Sequence, residues 1–176
     1  MAPPGQTLAL SALVRDPPEL LPLRAGLAVA DLAGPDARVK WPNDVLVDGR
    51  KVSGVLVEAR PAEAWAVLGI GVNVALDVAA LPAELRWRAG TLGRRASELE
   101  ATLAELLEAL AQRLAEPAQA TVAALRERDA LLGQAVRWPD GNGVGAGIDA
   151  AGALLVRRDD GTLVTLDAGE VHLRAS

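Results

Sequence analysis

Apolar and polar residues alternate from Thr7 to Val14, which predicts a strand with Leu8, Leu10, Ala12 and Val14 on one side. Asp16 then has the character of a helix N-cap, with Pro17 at the first helical position. Leu20, Leu23, Leu27 and Ala30 follow at helical spacing until Gly34-Pro35 stops the helix. A short strand from Arg38 to Trp41 precedes a hairpin, in which Val45 to Val47 and Val52 to Val57 are β-branched-rich arms. Asp48-Gly49 between them is a preferred pair for a type I′ turn. Another strand spans Trp65 to Val74 and is interrupted by Gly69 and Gly71, and residues 77–95 carry no regular pattern.

A helix is predicted from Ser97, where Ser97 and Glu100 have capping-box spacing. Leu99, Leu103, Leu106, Leu107, Leu110 and Leu114 form its apolar face up to Pro117. A further helix covers roughly 120–131. Beyond Gly133 the period shortens to strands over 135–138, 144–148, 154–157, 163–166 and 171–174, separated by Asp-Gly and Ala-Gly turns. Five short strands in so few residues predict a small SH3-like barrel. The division expected is 1–131 and 132–176.

Composition narrows the function classes. The chain has 176 residues, 51% of them hydrophobic, with no Phe and no Tyr, so Leu, Val, Ala and four Trp must fill the core. A net charge of −5 without a basic stripe gives no nucleic-acid surface, and no helix-turn-helix pattern suggests a repressor. With no Cys and one His, His172, a thiolate zinc site is excluded and a Ser-His triad has little support. His172 is far in sequence from the other polar motifs and reads as structural. The absence of Cys fits a reducing cytoplasm, and no apolar run approaches the length of a membrane span.

The basic residues are uneven: sixteen are Arg, and the two lysines, Lys40 and Lys51, lie eleven positions apart. Ammonium groups retained in an Arg-rich chain suggest a site needing a point charge on a flexible stem. They fall within Lys40-Trp41-Pro42-Asn43-Asp44 and Lys51-Val52-Ser53-Gly54-Val55-Leu56-Val57-Glu58, which are followed by Gly69-Ile70-Gly71-Val72-Asn73-Val74. Glycine inside a strand weakens it and marks a bulge or a close approach of another backbone or a ligand. Lys51, three residues before Gly54, would then project over the same groove.

These three ordered blocks resemble the central motifs of the biotin protein ligases; the related lipoate ligases lack the Lys-Trp-Pro-Asn-Asp run. The resemblance implies an α+β, class II synthetase-like catalytic core, incomplete here, with the SH3-like barrel at its C-terminal end. It also implies formation of biotinyl-5′-AMP from biotin and ATP with Mg²⁺. Biotin would then pass to a lysine of a biotin carboxyl carrier protein, a subunit of acetyl-CoA carboxylase. By the resemblance Lys51 is the catalytic cation and also contacts biotin. Gly54, Leu56, Gly69 and Gly71 wall the biotin pocket. Lys40, Asn43, Asp44 and Asn73 face the nucleotide, Asp44 as a candidate magnesium ligand and Asn73 as the reader of adenine. Trp41 reads as core or pocket floor, Glu58 as a strand-end carboxylate.

The family carries a Gly-Arg-Gly-Arg loop ahead of an Ala-Pro-Pro-Gly-like turn, whereas here Ala2-Pro3-Pro4-Gly5 follows Met1 directly. The expectation is therefore a core missing that loop, which on its own binds biotin weakly and does not biotinylate a carrier. The alternative is a non-catalytic binding module derived from such a ligase. A cytoplasmic protein without membrane contact is expected in either case, with a homodimer as a candidate assembly.

Overall fold

The computed structural model describes residues 5–173. Its first half is an antiparallel sheet of β1 (Thr7–Arg15), β2 (Arg38–Lys40), β3 (Asp44–Val47), β4 (Arg50–Arg60) and β5 (Trp65–Asn73), in the order β1-β5-β4-β3-β2. Period-two alternation decides its two faces. Ala66, Leu68, Ile70 and Val72 of β5 point into the core, together with Val55 of β4. In the β3–β4 turn, Asp48 (φ 50°) and Gly49 (φ 72°) both adopt the left-handed conformation a type I′ turn needs.

The helix α1 (Leu21–Ala33) lies across the inner face of this sheet, and α3 (Leu99–Ala115) and α4 (Ala118–Glu127) cover its other side. A short α2 (Ala83–Arg86) lies in the connection after β5. A helix held between two layers must be apolar nearly all round, and α1 is buried from Leu23 to Ala30. It starts later than Asp16-Pro17 suggests, with Leu20 preceding its first turn at φ 62°. Pro18 disfavours helical geometry at Pro17, so the chain turns first, and Pro22 occupies the opening turn instead. The cap of the α3 region is likewise displaced: Glu98 Oε2 accepts from Arg95 N at 2.8 Å, two residues before the expected Ser97 box.

Arginines satisfy the buried helix ends. Arg24, 3% exposed, donates to the carbonyls of Arg113 (2.7 Å) and Glu116 (2.6 Å) at the end of α3. Arg128 donates to Ala30 O (3.0 Å) and Gly34 O (2.9 Å) at the end of α1. Cationic donors suit these C-terminal carbonyls both as hydrogen-bond partners and against the helix dipole.

The terminal region holds β6 (Ala135–Trp138), β7 (Gly141–Ile148), β8 (Leu154–Arg157), β9 (Leu163–Leu166) and β10 (His172–Leu173). They form an antiparallel sheet in the order β10-β6-β7-β8-β9. Among the described residues β9 and β10 are its edges and do not pair with each other, so the SH3-like barrel expected from turn spacing is not closed by strand pairing. The last strand is only two residues long, and Arg174, expected to extend it, lies outside the described residues. Leu131, Val136, Trp138, Leu154 and Val156 nevertheless join the core that surrounds α1.

The two sheets meet through the segment following α4. Val39 N donates to Arg128 O at 2.8 Å, and Ala130 N donates to Val39 O at 3.0 Å. Between them Asp129 accepts Leu131 N–H on Oδ1 at 2.8 Å, while its Oδ2 is buried with no partner among the described residues. Burial pushes this carboxyl above the usual aspartate range, outweighing its backbone hydrogen bonds. A folded-state pKa raised in this way adds stability that is complete at low pH and lost as pH rises through the folded value. Asp129→Asn keeps an acceptor for Leu131 and removes the charge. Its unfolding free energy relative to the parent should therefore grow as pH rises above the ordinary aspartate range. Denaturant titrations of both proteins at several pH values, giving a pH-independent difference, would show that Asp129 is not the group responsible.

Candidate functional site

Strand alternation places Gly54, Leu56, Gly69 and Gly71 on the outer face of the first sheet, where Gly54 pairs with Gly71 and Leu56 with Gly69. Neighbouring β1 adds Ala9 opposite Gly71 and Ser11 opposite Gly69. The result is a patch of small residues, with Leu13 (60% exposed) and Leu56 (62% exposed) standing beside it. Apolar side chains so exposed beside bare backbone suit a ligand lying flat on the sheet.

Lys51 reaches this face through a β-bulge. The β3–β4 register shifts, pairing Val45 with Ser53 but Leu46 with Lys51, so Val52 is the extra residue. Val52 and Ser53 are consecutive and both buried. Without the bulge, alternation would turn Lys51 toward the core with Ser53 and Val55; with it, Lys51 shares the face of Gly54. A Cβ on Gly54 would lie 3.1 Å from Lys51 Nζ and 3.2 Å from its Cε, so the glycine makes room for the side chain.

Asp44, paired with Gly54 across the strands, is shared by both lysines. Its Oδ2 accepts from Lys40 Nζ at 3.0 Å, and its Oδ1 lies 2.5 Å from Lys51 Nζ. One carboxylate between two ammonium groups leaves a net positive charge. The Lys40 and Asp44 side chains are mostly buried, at 14% exposure each, whereas Lys51 is 49% exposed and is the cation presented to solvent. The clustering of the two lysines in sequence thus corresponds to a single ionic group in space.

The two asparagines hold this group by its backbone. Asn43 Nδ2 donates to Val55 O at 2.8 Å, and Val55 N donates to Asn43 O at 2.8 Å. Asn73 Nδ2 donates to Gly90 O at 2.9 Å and to Lys51 O at 3.3 Å. The Lys51 main chain is further tied by its N–H to Arg88 O (2.7 Å) and by its carbonyl to Gly90 N (2.8 Å). Gly90 is needed at this contact, since a Cβ there would meet Arg50 Cβ and Val52 Cγ1 at 3.0 Å. Asn73 therefore uses its amide donors on protein carbonyls and keeps Oδ1 as its acceptor.

A cleft of about 570 Å³ opens between the Lys40–Asp44–Lys51 cluster and the terminal sheet. Its walls also include Trp87, Arg88, Arg137, Glu170 and His172. Lys40, Lys51, Arg88 and Arg137 outnumber Asp44 and Glu170, so the cleft is electropositive on an acidic chain and suits an anionic ligand. The Arg88 guanidinium stacks over the exposed Trp87 ring, 4.2 Å from its centroid. Sequence reading missed Trp87, Arg88, Arg137 and Glu170 and assigned His172 a structural place. Gly90 was the one local sign of the Arg88–Gly90 contact; the residues from the terminal sheet are brought here only by docking of the two sheets.

Magnesium is a poor fit for the protein groups alone. Both Asp44 oxygens are engaged by ammonium groups, and the described residues contain no cluster of three His, Cys, Asp or Glu side chains. No helix among them is long and apolar enough to cross a membrane.

Residues 20–74, which contain every motif of the cluster, match the biotin/lipoate A/B protein ligase family, and residues 131–174 match the biotin protein ligase C terminal domain. A biotin–[acetyl-CoA-carboxylase] ligase of Paracoccus denitrificans is 34% identical over 172 residues, covering 84% of this chain and 70% of its own length. The protein of the same description from Mycobacterium tuberculosis is also 34% identical, over 88% of this chain. The chain spans 62% of that relative. In structure it is similar to the biotin protein ligase of Aquifex aeolicus in complex with biotin and ATP, with a TM-score of 0.82 and 27% identity. That match covers 97% of this chain and 79% of the other.

Gly54→Ala tests the packing of the cluster. The nearest atoms to the added methyl belong to the far end of a flexible side chain, so Lys51 should swing away from Asp44 while the fold is kept. Removing backbone freedom from the unfolded chain should raise stability by about 0.4–1 kcal/mol. A lower melting temperature, or a crystal structure with Lys51 Nζ still on Asp44, would show that the glycine has another role.

Proposed function

Because the chain belongs to the biotin protein ligase family, we propose that its cleft joins biotin to ATP and passes the biotinyl group to a lysine of a biotin carboxyl carrier protein. The observation carrying this reading is the half-exposed Lys51 ammonium held over bare strand backbone by Asp44. In the first step a biotin carboxylate oxygen attacks the α-phosphorus of ATP, and pyrophosphate leaves. Both reactants are anions, so positive charge is needed where they meet and on the phosphoryl oxygens as the new bond forms. Lys51 supplies it, and Asp44 with Lys40 holds Lys51 in place. The carrier lysine then attacks the biotinyl carbonyl, forming an amide as AMP leaves and the amine loses a proton.

In this reading biotin lies on Gly54, Leu56, Gly69 and Gly71, and the nucleotide occupies the electropositive cleft beside Lys40, Asn43 and Asp44. Asn73 serves twice, holding the Lys51 backbone with its donors and offering Oδ1 to an amino group of adenine. Magnesium would arrive on the nucleotide phosphates, since Mg²⁺ keeps several waters and is bound chiefly by phosphates and one or two carboxylates. Residues 1–131 would form the ligase core and 132–176 an SH3-like cover over the cleft, in a cytoplasmic protein. The acceptor lysine would belong to a carrier subunit of acetyl-CoA carboxylase, the protein that the relatives' names give as their target.

In a form of the protein that carries the Gly-Arg-Gly-Arg loop, Lys51→Ala should abolish biotinyl-5′-AMP formation, raising the barrier by about 3 kcal/mol or more, with the melting temperature little changed. Pyrophosphate release in the presence of biotin measures the step; a rate near that of the parent would remove Lys51 from catalysis. A parent chain that binds ATP and biotin yet releases no pyrophosphate would identify a binding module instead. Asn73→Ala should weaken ATP by roughly tenfold to a hundredfold, as a lost polar contact to a buried partner does. Calorimetry showing equal losses for ATP and biotin would assign Asn73 to holding the backbone alone.

A further inference from the structure

Trp41 directly follows Lys40 and is 2% exposed, yet its indole N–H bonds outside the first sheet. Nε1 donates to the carbonyl of Gly152 at 3.1 Å, across 111 residues of sequence. Gly152 lies in the turn between β7 and β8 at φ 84°, and a Cβ there would come within 2.7 Å of Leu20 and 3.2 Å of Leu23. This turn can therefore press against the start of α1 only because it has no side chain there. A second tie precedes Lys40, where both backbone groups of Val39 bond to the segment leading into the terminal sheet. A third joins Arg126 Nε to Ile148 O at 2.8 Å.

Lys40 thus sits between Trp41, bonded to the terminal region, and Val39, bonded to the segment leading into it, and that region supplies Arg137, Glu170 and His172 to the opposite wall of the cleft. The geometry points to Trp41 as a positioning residue: its bond to Gly152 sets the separation between the Lys40–Asp44–Lys51 cluster and the terminal wall. A buried indole N–H needs a partner, so sliding the terminal sheet would strand both the donor and the Gly152 carbonyl. Trp41 touches no reacting atom; it acts by fixing the width of the cleft. The identity of the bound anion rests on the function proposed above, whereas the coupling between the two walls does not.

Trp41→Phe keeps a buried aromatic ring and removes the donor. The chain contains no cysteine, so Glu58→Cys on β4 and Asp167→Cys just after β9 provide two exposed positions for spin labels. Electron–electron dipolar measurements should give a narrow distance distribution in the labelled parent and a broadened one with Trp41→Phe. Trp65→Phe, which removes an indole bonded to Glu63 at the surface (2.7 Å), should leave the distribution unchanged. ATP affinity by calorimetry should fall about fivefold to tenfold with Trp41→Phe and stay constant with Trp65→Phe. An unchanged distribution overturns the proposal, as does a broadened one with unaltered ATP affinity. If the parent binds no ATP, the nucleotide reading fails and the distance distributions alone decide the coupling. If Trp41→Phe does not fold, deuterium exchange of the indole protons in the parent decides it. Trp41 should exchange far more slowly than Trp87, which is 59% exposed, and equal rates overturn the assignment.

Discussion

Residues three apart on a regular strand face opposite ways, yet the charged cluster requires Lys51 and Gly54 on one face. The extra residue at Val52 resolves that conflict, and the rest of the site depends on it. It buries Val52 and Ser53 in succession and returns Lys51 to the outer surface, where Gly54 leaves space for its ammonium. Asp44, on the neighbouring strand, then neutralises one of two cations and leaves the other available. Without the irregularity Lys51 would point under α1, where an unpaired ammonium costs several kcal/mol.

The irregularity is held from several sides. Arg88 and Gly90 bond the Lys51 main chain along one edge, and Asn73 ties Lys51 and Gly90 together from β5. Asn43 secures β4 at Val55. The two asparagines of the motif blocks therefore fix the backbone around the half-exposed Lys51 ammonium. Such support is what a site must have if charge is to be in place before the reactants arrive.

Beneath the sheet, burial of α1 on every side imposes its own demands. Its end carbonyls and those of α3 lie where water cannot reach them freely, and Arg24 and Arg128 supply donors in place of water. An arginine-rich composition, which as sequence only set the two lysines apart, thus has a structural use as well. Arg128 adjoins the segment bonded to Val39, so the packing of α1, the placement of the terminal sheet and the strand carrying Lys40 are connected.

Local sequence determined what local physics controls. The alternation of β1 and β5, the Asp48-Gly49 turn and the apolar faces of α1 and α3 could be read because each depends on residues a few positions apart. Residue type alone set apart the two lysines and the strand glycines, because it restricts what a bare strand or a retained ammonium can do, whereas Asp44 and the two asparagines were singled out only by the resemblance of the motif blocks. Element ends were less legible: Pro18 delayed α1, and Glu98 rather than Glu100 made the bond at the head of α3. Turn spacing predicted the five terminal strands, but how the edge strands of their sheet meet is not encoded in that spacing. Only the tertiary structure brought Trp87, Arg88, Arg137, Glu170 and His172 to the cleft. It alone joined Trp41 to Gly152, because contacts across a hundred residues arise from the docking of buried surfaces and leave no periodic trace along the chain.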